Sequence, residues 1–161
     1  MSGQPDFTGR WALCEKPGTG PEFSNTAYLT FLSAIGVDRS LVDIAIAKLA
    51  LVSDSQQLIV QHRDGNMTVL VSDGDKSRFQ RYVIGREFTE TDLNGAKALV
   101  QTSWEGDVLK EKHVMAEGGE MGSGKFGYTV TRSIDEAGLM ILEVVVDDIF
   151  KAKAKRCYKR I

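Results

Sequence analysis

Two arginines and a tyrosine stand where strand alternation turns them toward an apolar face. From Phe150 to Lys159 an extended chain puts Phe150, Ala152, Ala154, Arg156 and Tyr158 on one side. Lys151, Lys153, Lys155, Cys157 and Lys159 take the other, because successive strand side chains point to opposite faces. The same pattern recurs upstream: Val130, Arg132 and Ile134 share one face, and Thr129, Thr131 and Ser133 the other. A guanidinium on an apolar face is costly unless something pairs with it. Two of them beside a phenol hydroxyl make a donor set for an anion.

Other chemistry-bearing residues give weaker patterns. Gly119 to Lys125 has the spacing G-x-x-x-x-G-K of a phosphate-binding loop. That loop requires Ser or Thr next and a helix behind it, whereas Phe126 follows and Gly127 to Thr131 reads as strand. A flexible hairpin tip is the expectation there. His62 and His113 lack neighbours at metal-ligand spacing and are expected to decorate strand faces, so no metal site is expected. Cys157 falls on the lysine side of its strand and reads as an inert surface thiol, although lysine neighbours could lower its pKa and make it redox-sensitive. No pair of carboxylates stands out as acid and base. No cofactor is expected.

The chain has 161 residues with 20 basic and 22 acidic side chains, a formal charge of -2. A single domain over residues 1–161 is the expectation, with room for a sizeable core or an enclosed cavity. So balanced a charge favours no nucleic acid partner. The basic strand from Lys151 to Arg160 reads as a solvated face that could touch anionic membranes transiently. The opening residues contain no apolar run, and Ala45 to Val52 is too short to span a bilayer. Cytoplasmic location with reduced Cys14 and Cys157 is expected.

The elements that must position these residues are legible. Phe7 to Glu15 predicts a strand, broken by Pro17 to Pro21. Tyr28, Phe31, Leu32 and Ile35 recur at helical spacing, with Ser24 or Asn25 as cap and Gly36 as stop. Asp38 predicts the start of a second helix carrying Leu41, Val42, Ala45, Ile46 and Leu49. After Gln56, turn signals recur roughly every ten residues, predicting about nine strands in an antiparallel meander. Alternation in Leu99 to Trp104 and in Leu109 to His113 mixes polar with apolar types. A barrel around a partly hydrated interior tolerates such mixing better than a solid sandwich core.

With these residues in place, the chain resembles the intracellular lipid-binding proteins, the fatty-acid-binding and cellular retinoid-binding group, over nearly its whole length. Phe7-Thr8-Gly9-Arg10-Trp11 looks like the family's opening F-x-G-x-W, and Phe31 to Val37 is similar to the end of its first helix. Gly85 to Glu90 matches G-x-x-F-x-E, and Arg156-Cys157-Tyr158 looks like the R-x-Y of the last strand. The resemblance implies a mainly β, calycin-like fold: a ten-stranded antiparallel up-and-down β-barrel with a helix-turn-helix lid. It implies that Arg132, Arg156 and Tyr158 receive a ligand carboxylate, with Tyr28 and Phe31 near the ligand portal. Helix core is the alternative for Tyr28 and Phe31. Pairing with the protein's own Glu143 or Asp92 is the alternative for the arginines. Segments near 17–22, 49–55, 117–125 and 147–153 are longer than the family's, and they bear on ligand choice.

The function expected is a non-enzymatic, monomeric carrier of fatty acids or other small hydrophobic carboxylates. The alternatives are an enzyme or ligand sensor using the same interior, or a lipid-associated structural protein at a membrane surface.

Overall fold

The computed structural model describes residues 4–14, 23, 25–36, 55–73, 76–91, 97–115, 127–147 and 152–161. Ten strands follow in chain order: β1 (Gly9–Cys14), β2 (Gln56–Gln61), β3 (Asn66–Asp73), β4 (Lys76–Val83), β5 (Glu87–Thr91), β6 (Lys97–Glu105), β7 (Val108–Met115), β8 (Tyr128–Ile134), β9 (Met140–Val146) and β10 (Lys153–Arg160). The helix among the described residues, α1 (Asn25–Ala34), lies between β1 and β2 in sequence.

All ten strands form one antiparallel sheet in the order β4-β3-β2-β1-β10-β9-β8-β7-β6-β5. Pairing of β1 with β10 joins the two ends of the meander, so the sheet curls into a nearly closed barrel. Among the described residues no ladder joins the remaining edges, β4 and β5, and a bridge of hydrogen bonds instead ties their junction to β6. Gly85 donates its N–H to the Thr102 carbonyl at 2.8 Å, and Thr102 Oγ1 donates to the Val83 carbonyl at 3.2 Å. Above this bridge the Tyr82 and Phe88 rings stand 5.6 Å apart.

Tight turns set the register. Gly106, at φ 63°, turns β6 into β7, and in the β8–β9 turn Asp135 Oδ1 accepts from the N–H groups of Ala137 and Leu139. The predicted first strand is shorter than its sequence signal. Phe7 precedes β1, fully buried, with its carbonyl accepting from Trp11 Nε1 at 2.8 Å. Between β4 and β5 the chain turns at Gly85, a turn absent from the predicted set. The expected second helix from Asp38 and the glycine-rich stretch 119–125 lie outside the described residues.

Two apolar clusters fill the interior. Phe7, Trp11, Ile59, Met67, Val69, Tyr82, Leu109, Met140 and Tyr158 form one, at the end of the barrel away from the helix. Phe31, Leu32 and Ile35 of the helix form the second with Tyr128, Val130, Val144, Val146 and Ala154. Leu142 packs against both. The sequence pattern thus positions a layer between two cores, and that layer carries the charge.

Candidate functional site

Strand register places the two arginines in a single cross-strand row. Arg132 on β8 pairs with Leu142 on β9, and Leu142 pairs on its other side with Arg156 on β10. Two strand spacings separate their backbones, roughly 10 Å, which side chains of this length can close from both sides. Arg132 is only 5% exposed, and its Nε is buried without a hydrogen-bond partner. The Nη2 of Arg156 is likewise buried and unpartnered. Unsatisfied donors on buried guanidinium groups are rare in folded proteins, because each forfeits its hydration with nothing in return.

Tyr158 lies two residues beyond Arg156 on the same face of β10, paired with Leu13 and Met140, and is buried in the cluster away from the helix. Tyr28 reaches from α1 to Arg156, its ring centroid 4.1 Å from the guanidinium carbon. Phe31 is buried and meets Tyr128 edge-to-face at 5.1 Å, with Tyr28 at 5.8 Å. Arg132 and Arg156 therefore share one layer, Tyr158 adjoins it and Tyr28 covers it. Phe31 belongs to the helix-side core one ring further away.

The structure adds polar residues that sequence reasoning had not assembled. Glu111 and His113 are buried on the inward face of β7, together with Leu109. His113 was expected to decorate a strand face, and the face proves to be the inner one. It is 2% exposed, stacked on Tyr128 at 4.3 Å, with Nε2 3.1 Å from Glu111 Oε2. The register explains the burial: His113 pairs with Tyr128, Glu111 with Val130 and Leu109 with Arg132, so β7 contributes to the same three layers as β8. Thr102 on β6 and Gln57 on β2 are also buried. The mixed alternation of Leu109, Glu111 and His113 was the available signal.

Burial opposes ionisation of Glu111, yet the contact with His113, the charges of His113 and Arg132 and the Tyr82 hydroxyl outweigh it. Its carboxyl is held below the ordinary range and is ionised at neutral pH. Among the described residues the interior thus holds the Glu111 carboxylate together with Arg132, Arg156 and His113.

The outer side of β10 differs from expectation at one position. Cys157 is not a surface thiol: it is 2% exposed, with its sulfur 3.2 Å from that of Cys14 on β1. Lys153 and Lys159 are exposed as predicted, while Lys155 approaches Glu143 at 3.5 Å and the Phe23 ring at 5.9 Å. Glu143 is therefore engaged on the outer face, and Asp92 lies outside the described residues. Among the described residues no helix is long and apolar enough to cross a membrane, and no cluster of three or more His, Cys, Asp or Glu side chains could hold a metal ion.

No protein-family model and no curated protein matches the sequence. Solved structures do match. The REP1-NXSQ fatty acid transporter aligns with a TM-score of 0.69 at 21% identity, over 96% of this chain and 95% of that one. A point mutant of that transporter gives 0.70 at 20% identity, over 96% and 97%. Fatty-acid-binding protein 1 of Echinococcus granulosus gives 0.71 at 15% identity, again over 96% and 97%. On these matches, and with its own ten-stranded antiparallel sheet, the chain has the β-barrel fold of the fatty-acid-binding proteins.

Proposed function

We propose that this protein is a carrier that encloses one amphipathic monocarboxylate, a long-chain fatty acid or a close analogue, with its headgroup at Arg132 and Arg156. The observation that carries the reading is the pair of buried, unpartnered guanidinium nitrogens, Arg132 Nε and Arg156 Nη2, flanking Leu142 in one row. A planar guanidinium presents paired N–H groups that match carboxylate oxygens, and the Tyr158 hydroxyl would add a donor from the adjoining layer. Glu111 is engaged by His113, so the two arginines leave the row with a positive excess, which favours an anion. Apolar surfaces on both sides of the row suit a hydrocarbon tail, whose burial contributes about 0.8 kcal/mol per methylene. The names of the structural neighbours, a transporter and a binding protein, support carriage over catalysis.

Binding of a fluorescent fatty acid and of the matching fatty alcohol tests this. A charge-assisted hydrogen bond contributes about 1.5 to 3 kcal/mol, so Arg132→Gln and Arg156→Gln should each weaken fatty-acid binding by about 10- to 100-fold. Alcohol binding should change little. Unchanged fatty-acid affinity in a folded double variant would defeat the assignment.

A further inference from the structure

Cys14 ends β1 and Cys157 stands directly opposite it on β10, in antiparallel register. The sulfurs are 3.2 Å apart although 143 positions separate the residues in sequence. The two are not joined in a disulfide, and Cys14 is partly exposed while Cys157 is buried. We propose that these residues form a reversible redox modification site, in which a hydroperoxide oxidises Cys14 and Cys157 resolves it into a disulfide that staples the first strand to the last.

The asymmetry in exposure assigns the roles. The Cys14 sulfur, reachable from solvent, attacks the peroxide oxygen; the O–O bond breaks and water leaves, giving a sulfenic acid. The Cys157 sulfur then attacks the sulfenic sulfur, the S–O bond breaks and a second water leaves. Two thiols supply two electrons and two protons, and hydrogen peroxide is reduced to two waters. Burial keeps Cys157 from reacting first while placing it beside the intermediate. Bond formation requires the sulfurs to approach by about 1 Å, to the roughly 2.05 Å of a disulfide, a shift that facing residues of one ladder can absorb. The reductive reset comes from a dithiol reductant. Because Arg156 and Tyr158 flank Cys157, the staple fixes the strand that carries them.

The test uses the full chain treated with stoichiometric hydrogen peroxide, followed by thiol alkylation, intact mass and a non-reducing peptide map. The expected result is loss of both alkylatable thiols in the monomer, a cross-link between the Cys14 and Cys157 peptides, and reversal by dithiothreitol. Closing so long a loop should raise the melting temperature by about 10 °C. Cys14→Ser and Cys157→Ser should fold, keep one thiol each and show neither the cross-link nor the rise. Sulfinic acid at Cys14 with Cys157 still reduced would overturn the proposal, as would intermolecular dimers in place of the internal bond. A cross-link without any rise in melting temperature would overturn the stapling.

Discussion

The guanidinium carbon of Arg156 sits 4.1 Å from the centre of the Tyr28 ring, tying helix α1 to the strand that closes the barrel. A planar cation over a ring can engage it through its face while its N–H groups lie along its edge. Nη2 is on that edge and is buried without a partner. One side chain can therefore hold the helix through its face and receive an anion through its edge. Helix position and headgroup binding are coupled at this residue.

That coupling predicts a divided effect of changes at Tyr28. Tyr28→Leu keeps apolar bulk but removes the ring, with a loss of about 1 kcal/mol and a fall in melting temperature of about 2 to 4 °C. Release of a bound fluorescent fatty acid should become severalfold faster, as read by stopped-flow displacement. Tyr28→Phe retains the ring face and should match the parent protein in both measurements. Equal release rates in all three proteins would show that the contact does not restrain the helix.

Glu111 sets an acid limit on stability. Its folded pKa is depressed from the ordinary 4.5, so the unfolded chain takes up this proton more readily than the folded one. The stabilisation is therefore present above about pH 4.5 and is lost as pH falls through the lower, folded value. Glu111→Gln lacks this titration. The difference in melting temperature between the parent and Glu111→Gln should be largest near pH 6 and shrink steadily toward pH 3. A difference independent of pH would mean that the carboxylate is not held in its charged form.

Local alternation revealed Arg132 and Arg156 because their own strands are otherwise consistent: Val130 and Ile134, or Ala154 and Tyr158, declare which face is inward. Turn residues marked all but one of the strand junctions after Gln56 for the same reason, since each turn is specified within a few positions. The phase of β7 was ambiguous. Val108, Lys110, Lys112 and Val114 mix types as much as Leu109, Glu111 and His113 do, and only pairing with β8 decides which set is buried. Cys157 needed a still longer relationship. Its alternation places it correctly on the lysine side, but its burial beside Cys14 depends on a pairing between the two ends of the chain. The Gly85 turn was obscured because Gly85 to Glu90 reads as a continuous motif when the β4–β5 junction is unknown.

Gly127 allows β8 to approach β7 beside the buried histidine. A Cβ at this position would collide with the His113 carbonyl oxygen, a backbone atom that cannot rotate away. Gly127→Ala should cost about 1 to 3 kcal/mol through overpacking. It should also displace His113 from the Tyr128 ring, which would appear as a downfield shift of the His113 ring protons in NMR spectra. Gly138→Ala, where a Cβ meets nothing within 4 Å, strains only the backbone at φ 82°. It should leave the histidine resonances unmoved. Histidine shifts in the Gly138 variant alone would contradict this account.

Arg160 provides a comparison between an arginine that serves the fold and the two proposed to serve a ligand. It is exposed at the end of β10, 4.4 Å from the centre of the Trp11 ring, and donates from Nη1 to the Thr8 carbonyl at 2.8 Å and from Nη2 to the Asp6 carbonyl at 3.1 Å. These contacts fasten the last strand to the segment before β1. Arg160→Gln removes the stacked cation and one of the two aligned donors, so unfolding in urea should show a loss of about 1 to 2 kcal/mol. Arg160→Lys should restore less than half, because an ammonium cannot bond two carbonyls and cover a ring at once. Fatty-acid affinity, measured under conditions where both variants are fully folded, should stay within about twofold of the parent, since no donor is lost from the interior row. A loss of affinity as large as that of Arg132→Gln would mean that binding follows general stability rather than the unpartnered guanidinium groups.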